Sequence, residues 1–381
     1  MPFSLYIHIP YCQAKCPYCD FNSHAASSWP EVDYVGALIS EMRMRAAQPP
    51  FTGERVKTIF FGGGTPSLFA PKSIGELIKA ADQLFGLEYD PEITLEANPG
   101  TVDAEKLAGF RAAGVNRISF GAQSFKAETL KLLGRIHDAQ QTREAAREAH
   151  RAGFERLNLD LIFAVPGQSL DDVRNDITEA VALKPDHISA YNLTFEEGTV
   201  FFAELKRGRI RALDEDLQAQ MYALVRHEIP ARGYPMYEIS NYAAPGHEAR
   251  HNLSYWRAES YLGLGAGAHS HAWLGNRAGR WWNEKAPARY IETARRGCAE
   301  AGAEDIDIAR AMGEFVFLHL RLREGFARDD FARRFGRDFD SCYGEISQRL
   351  QRDGLLISDL GRIFLSDRGL ELADSVFAEF V

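Results

Sequence analysis

Several features are scarce in this sequence, and each scarcity excludes a class of protein. No stretch approaches the ~18 consecutive apolar residues of a membrane-spanning helix. Basic residues are outnumbered, 44 Lys and Arg against 53 Asp and Glu, which argues against a general nucleic-acid binder. The first residues carry no basic segment and no small-residue cleavage site, so we expect a cytoplasmic protein. Apolar residues make up 45% of the 381 residues, too large a share for a disordered chain.

Cysteine is also scarce, with five residues in the chain. Cys12, Cys16 and Cys19 follow a C-x3-C-x2-C spacing, while Cys298 and Cys342 lie far away without neighbouring ligands. Structural zinc normally takes four ligands as two separated pairs, and no second pair accompanies this loop. Three thiolates in one short loop favour a [4Fe–4S] cluster with one iron open to a small molecule, and zinc is the less favoured alternative.

Short apolar runs alternate with helical patterns over the first 200 residues. Strands are predicted at 4–9, 57–62, 92–97, 116–122, 156–163 and 187–193, and helices near 31–47, 71–85, 103–113, 126–152 and 169–183. This alternation is typical of parallel βα units. Six units fit a partial (β/α)6-type TIM barrel of the α/β class better than a doubly wound sheet, and functional residues of such barrels follow the strands.

The pattern divides the chain into three regions. We expect the barrel and its cysteine loop in 1–230, which ends on a helix at 214–230. A linking region rich in Tyr, Trp, His and Gly occupies 231–303. Three helices, a β-hairpin and a last helix in 304–381 predict a winged-helix-like α+β region. Its segment 321–340 holds six Arg and five acidic residues, a balance that favours a protein contact or structural role over DNA binding.

Polar residues follow the later strands of the predicted barrel. The motif FFGGGTPS at 60–67 follows the second strand, and its glycines let the backbone approach a ligand, although a plain turn is the alternative. It lacks the Lys of a nucleotide-triphosphate loop. Glu96, Gln123, Arg135 and Asp160 come at later strand ends. Each alone would be a core polar group, but four at one cavity favour a zwitterionic ligand, because buried charges need partners.

The cysteine spacing, with an aromatic residue before the third cysteine, resembles the signature of the radical S-adenosylmethionine (SAM) family. Over residues 6 to about 200 the motifs FFGGGTPS, LEANPG, RISFGAQSF, LLGRIH, DLIFAVPGQ and AYNLTFEEGT are similar to those of its coproporphyrinogen-III-oxidase-like branch. The resemblance implies a cluster on the three cysteines. It also implies SAM contacts from nine residues: Tyr6, Tyr18, Gly63, Gly64, Thr65, Glu96, Gln123, Arg135 and Asp160.

One position separates two groups within that branch. The oxygen-independent coproporphyrinogen III oxidases have a further cysteine two residues after the third, where this chain has Phe21. The difference implies the sister group, the radical SAM heme chaperones, and leaves oxidase activity as the alternative. The resemblance then implies heme as cargo and apo-hemoproteins such as respiratory cytochromes as partners. It also implies membrane contact only through such clients, no nucleic acid, and a homodimer as an open option.

The segment HNLSYW at 251–256 resembles the heme-binding motif of those chaperones. Histidine can ligate heme iron, and aromatic rings can cover a porphyrin. We predict His251 as the iron ligand, supported by Asn252, Tyr255 and Trp256. A buried aromatic cluster at a domain join is the alternative reading. Other candidate ligands are His247, His269 and His271, and the glycine-rich run 263–267 is predicted to be a strand and turn at the open side of the barrel.

Overall fold

The computed structural model describes residues 1–275 and 277–381. Strands and helices alternate in the first 231 residues. The strands are β1 (Phe3–Ile9), β2 (Tyr11–Cys12), β3 (His24–Ala25), β4 (Val56–Gly63), β5 (Leu87–Ala97), β6 (Arg117–Gln123), β7 (Arg156–Phe163) and β8 (His187–Asn192). The helices are α1 (Glu31–Ala46), α2 (Pro71–Phe85), α3 (Ala104–Ala112), α4 (Ala127–Leu132), α5 (Ala139–Arg151), α6 (Leu170–Ala182), α7 (Val200–Lys206) and α8 (Glu215–Ala231).

Six parallel strands form the centre of the largest sheet, in the order β1, β4, β5, β6, β7 and β8. Each strand is next to its successor among the βα units, as in a TIM barrel. The strands are almost entirely buried, because helices cover one face and side chains fill the other. The prediction of a partial (β/α)6 barrel is confirmed, and β5 begins five residues before its predicted start at residue 92.

The predicted helix at 126–152 is two helices, α4 and α5, and this is the largest error in the barrel. Gly134 between them has a φ of 65°, a left-handed conformation that ends α4. Asp138 then starts α5 with a capping box, in which its side chain accepts from the Gln141 backbone and the Gln141 side chain accepts from the Asp138 backbone. The break places Arg135 outside both helices.

The linking region extends the sheet at both ends. Its elements are β9 (Met236–Glu238), β10 (Asn241–Ala243), α9 (Arg250–Trp256), β11 (Tyr261–Leu264), β12 (His269–Leu274), β13 (Arg277–Asn283), α10 (Pro287–Arg295) and β14 (Glu300–Ile306). Strand β11 pairs in parallel with β1 and is followed outward by β12, β13 and β14, while β10 and β9 continue from β8. The predicted glycine-rich strand and turn therefore lie beside the strand that leads into the cysteine loop.

The C-terminal region has the element order of a winged helix, and its core is rich in phenylalanine. Its elements are α11 (Ile308–Leu320), β15 (Phe326–Ala327), α12 (Arg328–Phe335), α13 (Phe339–Arg352), β16 (Leu356–Asp359), β17 (Arg362–Leu365), α14 (Asp367–Glu371) and α15 (Ala373–Phe377). The predicted last helix at 367–379 is interrupted at Leu372, between α14 and α15. Within the described residues, no helix combines the length and apolar character needed to cross a membrane.

Candidate functional site

The cysteine loop follows β1 and carries its three thiols at one end of the barrel. Thr65 Oγ1 donates a hydrogen bond to Cys12 Sγ at 3.4 Å, and Cys19 Sγ lies 3.7 Å from Ser23 Oγ. Burial raises the pKa of the Cys12 thiol. Among the described residues, no three His, Cys, Asp or Glu side chains form a group ready to hold a single metal ion. The loop nevertheless directs Cys12, Cys16 and Cys19 into the same cavity.

This cavity has a volume of about 1020 Å³ and lies at the carboxyl ends of the barrel strands. It is lined by the three cysteines and by eight of the nine residues predicted to contact SAM: Tyr18, Gly63, Gly64, Thr65, Glu96, Gln123, Arg135 and Asp160. The ninth, Tyr6, does not line it. The structure thus brings residues from the ends of five successive strands to one place, as expected for a parallel barrel.

The glycine loop after β4 is fixed by its contact with the cysteine strand. A Cβ atom on Gly63 would lie 2.3 Å from the His8 ring, and one on Gly64 would lie 2.6 Å from the Tyr11 carbonyl. Gly63 also has a φ of 110°, which side chains rarely permit. The Gly64 backbone N–H donates to the Ile9 carbonyl at 2.8 Å. The glycines are therefore required by packing, whether or not a ligand lies above them.

Two largely buried carboxyl groups, Glu96 of β5 and Asp160 of β7, face the cavity. Glu96 Oε2 accepts only one weak hydrogen bond, from the Gly63 N–H at 3.3 Å. Burial, and secondarily the charge of Asp160, raise the pKa of Glu96 to about 8. Asp160 is better supported, because it accepts hydrogen bonds from Ser119 at 3.1 Å and Asn158 at 2.8 Å. Glu96 is therefore a buried acid without a cationic partner among the described residues.

Arg135 also lines the cavity and contacts the cysteine loop. Its Nη1 donates to Cys16 Sγ at 3.4 Å and its Nη2 donates to the Gly121 carbonyl at 2.8 Å. The Arg135 Nε is buried without a hydrogen-bond partner. Gln123 beside it has a φ of 65°, an uncommon conformation for a residue with a side chain. A Cβ on Gly121 would lie 2.8 Å from Gln123 Nε2, so this glycine makes room for both side chains.

Tyr6 lies beneath the cavity, inside the barrel. Its hydroxyl is 3.0 Å from His8 Nδ1, and its ring touches the glycine loop, since a Cβ on Gly62 would lie 3.0 Å from Tyr6 Cε2. Below it, the ring centroids of Tyr6 and Phe60 are 6.2 Å apart, and those of Phe60 and His251 are 5.1 Å apart. A column of rings therefore connects the cavity with the opposite end of the barrel.

His251 is enclosed at that opposite end, with 1% of its surface exposed. Its Nδ1 is 2.8 Å from Thr58 Oγ1 and its Nε2 is 2.9 Å from Tyr255 Oη. Burial, and then the charge of Lys57, lower the pKa of His251 to about 3, so the ring is neutral. The His251 backbone N–H donates to Glu92. Both ring nitrogens are occupied within the protein, and His251 has the contacts of a core histidine.

The end of the HNLSYW segment faces a second pocket. Tyr255 and Trp256 line a pocket of about 290 Å³, whereas His251 and Asn252 do not. The Trp256 Nε1 is buried without a hydrogen-bond partner, and the Arg321 guanidinium lies 4.2 Å from its ring centroid. Two of the four residues predicted for heme therefore share this pocket, and the other two, His251 and Asn252, do not line it.

The alternative histidines differ in their surroundings. His247 Nδ1 lies 3.7 Å from Asp186. His269 is exposed and its ring stacks on Trp282. His271 lines the second pocket and is 8% exposed. Of these three, only His271 is placed together with the aromatic residues of the motif.

Sequence reasoning missed the residues that the C-terminal region contributes. Arg321 and Leu372 line the cysteine cavity, and Phe315 and Leu318 line the second pocket. These residues follow the barrel motifs by more than a hundred positions. No local pattern links them to the barrel, because their role comes only from the docking of one region on the other.

The fold and the cavity together define the class of this protein. Six βα units, three cysteines after the first strand and a glycine loop after the second are the features of a radical SAM protein. The sequence model of the Radical SAM superfamily matches residues 6–180, and that of the HemN C-terminal domain matches residues 309–372.

Full-length relatives then give the family. The chain is 36% identical over 381 residues to the heme chaperone HemW of Bacillus subtilis, with 99% of both chains covered. It is 38% identical to the heme chaperone HemW of Escherichia coli, with 96% of both covered. The chain belongs to the HemW family. The solved structure of the E. coli coproporphyrinogen III oxidase HemN matches all of this chain and 90% of its own, with a TM-score of 0.84 and 24% identity, which shows the shared fold.

Membership of the radical SAM superfamily implies a [4Fe–4S] cluster and SAM. The cavity fits both groups. Its wall holds three thiols, which are the usual ligands of iron–sulfur clusters. Within residues 1–275 and 277–381, Glu96 has no cationic partner and Arg135 Nε has no acceptor. A ligand that carries an ammonium group and a carboxylate would satisfy these two buried groups, and SAM carries both.

Proposed function

We propose that this protein binds heme and transfers it to apo-hemoproteins such as respiratory cytochromes, and that it carries a [4Fe–4S] cluster and SAM. Its full-length relatives are named heme chaperones. The single observation that carries the proposal is that Tyr255 and Trp256 line the second pocket, here named the aromatic pocket, between the linking region and helix α11. Flat aromatic walls suit a porphyrin, whose faces are apolar. Formation of a homodimer stays a prediction.

The proposal assigns the two ends of the barrel to different groups. The cluster is held at the large cavity by Cys12, Cys16 and Cys19. When bound there, it supplies electron transfer and SAM chemistry. Glu96 and Arg135 hold the ammonium and carboxylate ends of SAM, and the other cavity residues predicted for SAM complete its surroundings. Heme belongs to the opposite end, near α9.

The predicted role of His251 as iron ligand sets a structural condition. Because both of its ring nitrogens are occupied, the Tyr255 hydroxyl must leave Nε2 before iron can approach. Movement of Tyr255 is compatible with heme binding, since this side chain lines the aromatic pocket. We therefore propose that His251 ligates iron only in a conformation of α9 in which the Tyr255 hydroxyl has left Nε2.

Coproporphyrinogen III oxidase activity is the second candidate. The large cavity favours it, because its volume of about 1020 Å³ exceeds what SAM needs and extends to residues of α14 and α15. Phe21 opposes it. This residue lies at the cavity with 62% of its surface exposed, and its apolar ring supplies no sulfur where the oxidases have one.

One anaerobically reconstituted sample can test both candidates. Hemin is titrated into the protein and followed at its Soret band, and the complex is then mixed with an apo-cytochrome b. The same sample is assayed for protoporphyrinogen IX formation under reducing conditions with SAM, beside a known oxidase as control. We expect saturable heme binding, heme transfer and no oxidase turnover. Failure to bind or transfer heme, or multiple oxidase turnovers per chain, would overturn the proposal.

A further inference from the structure

A chain of side-chain hydrogen bonds leads from Asp160, at the cysteine cavity, to the residue that precedes α9. Asn158 Nδ2 lies 2.8 Å from Asp160 Oδ1, and Asn158 Oδ1 lies 2.6 Å from His187 Nδ1. His187 Nε2 lies 2.8 Å from Tyr237 Oη, which is 3.3 Å from the backbone nitrogen of Ala249. Asp160 lines the cavity, whereas Asn158, His187 and Tyr237 do not. These three side chains therefore act on a ligand in the cavity through Asp160.

The direction of the donors in this chain is set from its far end. A backbone N–H can only donate, so the Tyr237 hydroxyl accepts from Ala249 and directs its own proton to His187. Burial raises the pKa of Tyr237 well above its usual value, so that proton is present. Burial, and then the charge of Arg117, lower the pKa of His187 well below its usual value, so the ring is neutral. A neutral imidazole that accepts at Nε2 carries its proton at Nδ1.

His187 thereby fixes the orientation of the Asn158 amide. Its Nδ1–H donates to Asn158 Oδ1, to which Ser189 Oγ also donates at 3.3 Å. The amide NH2 group then points the other way, where it donates to Asp160 and to Ser119 Oγ, at 2.8 Å each. Ser119 in turn donates its one hydroxyl proton to the second Asp160 oxygen at 3.1 Å. Both oxygens of Asp160 therefore receive donors whose direction follows from His187.

The reversed orientation of the Asn158 amide would be unfavourable for an ionised Asp160. The amide oxygen would then face a carboxylate oxygen at the 2.8 Å that now separates donor and acceptor, and two acceptors at that distance repel each other. Burial raises the pKa of Asp160, and hydrogen-bond donors, Asn158 and Ser119 among them, oppose that rise. Loss of the present orientation would therefore remove an accepted hydrogen bond and favour the neutral acid.

We propose that His187 is a positioning residue of the SAM site, which acts through Asn158 to hold Asp160 as an oriented acceptor for a donor group of SAM. This inference rests on the proposed binding of SAM in the cavity and extends it to a residue outside the cavity. An acceptor that is already oriented needs no ordering when the ligand arrives, which strengthens binding. The same chain connects the SAM site with the start of α9, the helix of the HNLSYW segment.

Two substitutions at His187 separate positioning from packing. Asparagine places its amide near the former Nδ1 and can still donate to Asn158, whereas glutamine places its amide near the former Nε2, toward Tyr237. Titration calorimetry of the full-length, reconstituted proteins measures their affinity for SAM. We expect His187→Gln to weaken SAM binding about tenfold and His187→Asn to bind within about threefold of the wild type. Equal losses in the two variants, or wild-type affinity in His187→Gln, would overturn the proposal.

A matched pair of tyrosine variants tests the far end of the chain. Tyr237→Phe and Tyr242→Phe each remove one hydroxyl, from the paired strands β9 and β10. Within the described residues the Tyr242 hydroxyl has no hydrogen-bond partner, whereas that of Tyr237 fixes the proton of His187. We expect Tyr237→Phe to weaken SAM binding about threefold and Tyr242→Phe to leave it unchanged, and equal affinities would overturn the proposal.

The wild-type titration separates this proposal from the proposed function. If the wild type binds no SAM, the proposed SAM site fails, and the role of His187 fails with it. If the wild type binds SAM and His187→Gln binds it equally well, the positioning role alone is overturned and the proposed function stands.

Discussion

Replacing Glu96 with glutamine should stabilise the ligand-free protein and remove its response to SAM. Glu96 is a largely buried acid, and within the described part of the chain its one hydrogen bond is the 3.3 Å contact with the Gly63 N–H. In the absence of a cationic ligand, ionisation of this carboxyl group is unfavourable. Glutamine fills the same space without a charge, so the variant avoids the unfavourable free energy of ionising this carboxyl group. It also lacks the negative charge that would pair with the ammonium group of a ligand.

The magnitude follows from the pKa of Glu96, which rises from its ordinary value of 4.5 to about 8. At a pH between its unfolded and folded pKa values, such a carboxyl group keeps its proton in the folded state but has lost it in the unfolded chain. Its contribution to stability therefore falls as the pH rises from the unfolded value toward the folded value. Between about pH 5.5 and about pH 8.5, the wild type should lose about 3 kcal/mol relative to Glu96→Gln.

Denaturant unfolding of both proteins at these two pH values, with and without SAM, measures the effect. SAM should stabilise the wild type, increasingly so at the higher pH, and should not stabilise the variant. The control is Glu41→Gln, since Glu41 is a fully buried acid that accepts hydrogen bonds from Tyr290, Asn283 and the Gly265 N–H. Burial raises the pKa of Glu41 too, so this variant should show a pH trend of the same sign relative to the wild type. Because it loses accepted hydrogen bonds, it should be less stable than the wild type by about 2 kcal/mol at the lower pH, and it should keep its response to SAM. Parallel loss of stability in Glu96→Gln and wild type would refute the reasoning.

Three further predictions concern the cysteine end of the barrel. Replacing Cys12, Cys16 and Cys19 together with serine should leave almost no iron after reconstitution, against about four irons per wild-type chain, and full iron in that variant would place the cluster elsewhere. Gly134→Ala forces a side chain into a left-handed φ of 65°, and its Cβ would lie 2.6 Å from Pro17 Cδ in the cysteine loop. We therefore expect a loss of about 1 kcal/mol in denaturant unfolding and a changed EPR signal of the reduced cluster, whereas an unaltered signal and stability would contradict this contact between the turn and the loop. The Phe21→Cys variant should show no oxidase turnover when its porphyrin products are analysed by chromatography. Sustained product formation would show that this one position decides the activity.

The barrel could be predicted from sequence because its signals are local. An apolar run followed by a helical pattern marks each βα unit, and parallel strands place their carboxyl ends together. The approach of Glu96 and Asp160 to one cavity follows from that rule alone. The sequence also predicts Arg135 at this cavity, but at a strand end, whereas it lies in the turn between α4 and α5. The helical pattern continues through 126–152, and only the left-handed Gly134 and the cap at Asp138 reveal the break.

The environment of the HNLSYW segment could not be predicted for a different reason. A sequence motif shows which groups are present, but it does not show which of them face outward. His251 turns into the barrel toward Thr58, whereas Tyr255 turns toward the aromatic pocket. The rest of that pocket, including Phe315, comes from a region of the chain with its own core, and only docking brings it there.

Helix α11 borders both recesses of the molecule. Its side chains Phe315 and Leu318 close the aromatic pocket. Arg321, directly after its last turn, reaches the cysteine cavity and also stacks on Trp256. Because a single helix borders both cavities, it mechanically couples one to the other. A displacement of α11 at the aromatic pocket would therefore also move Arg321 at the cysteine cavity.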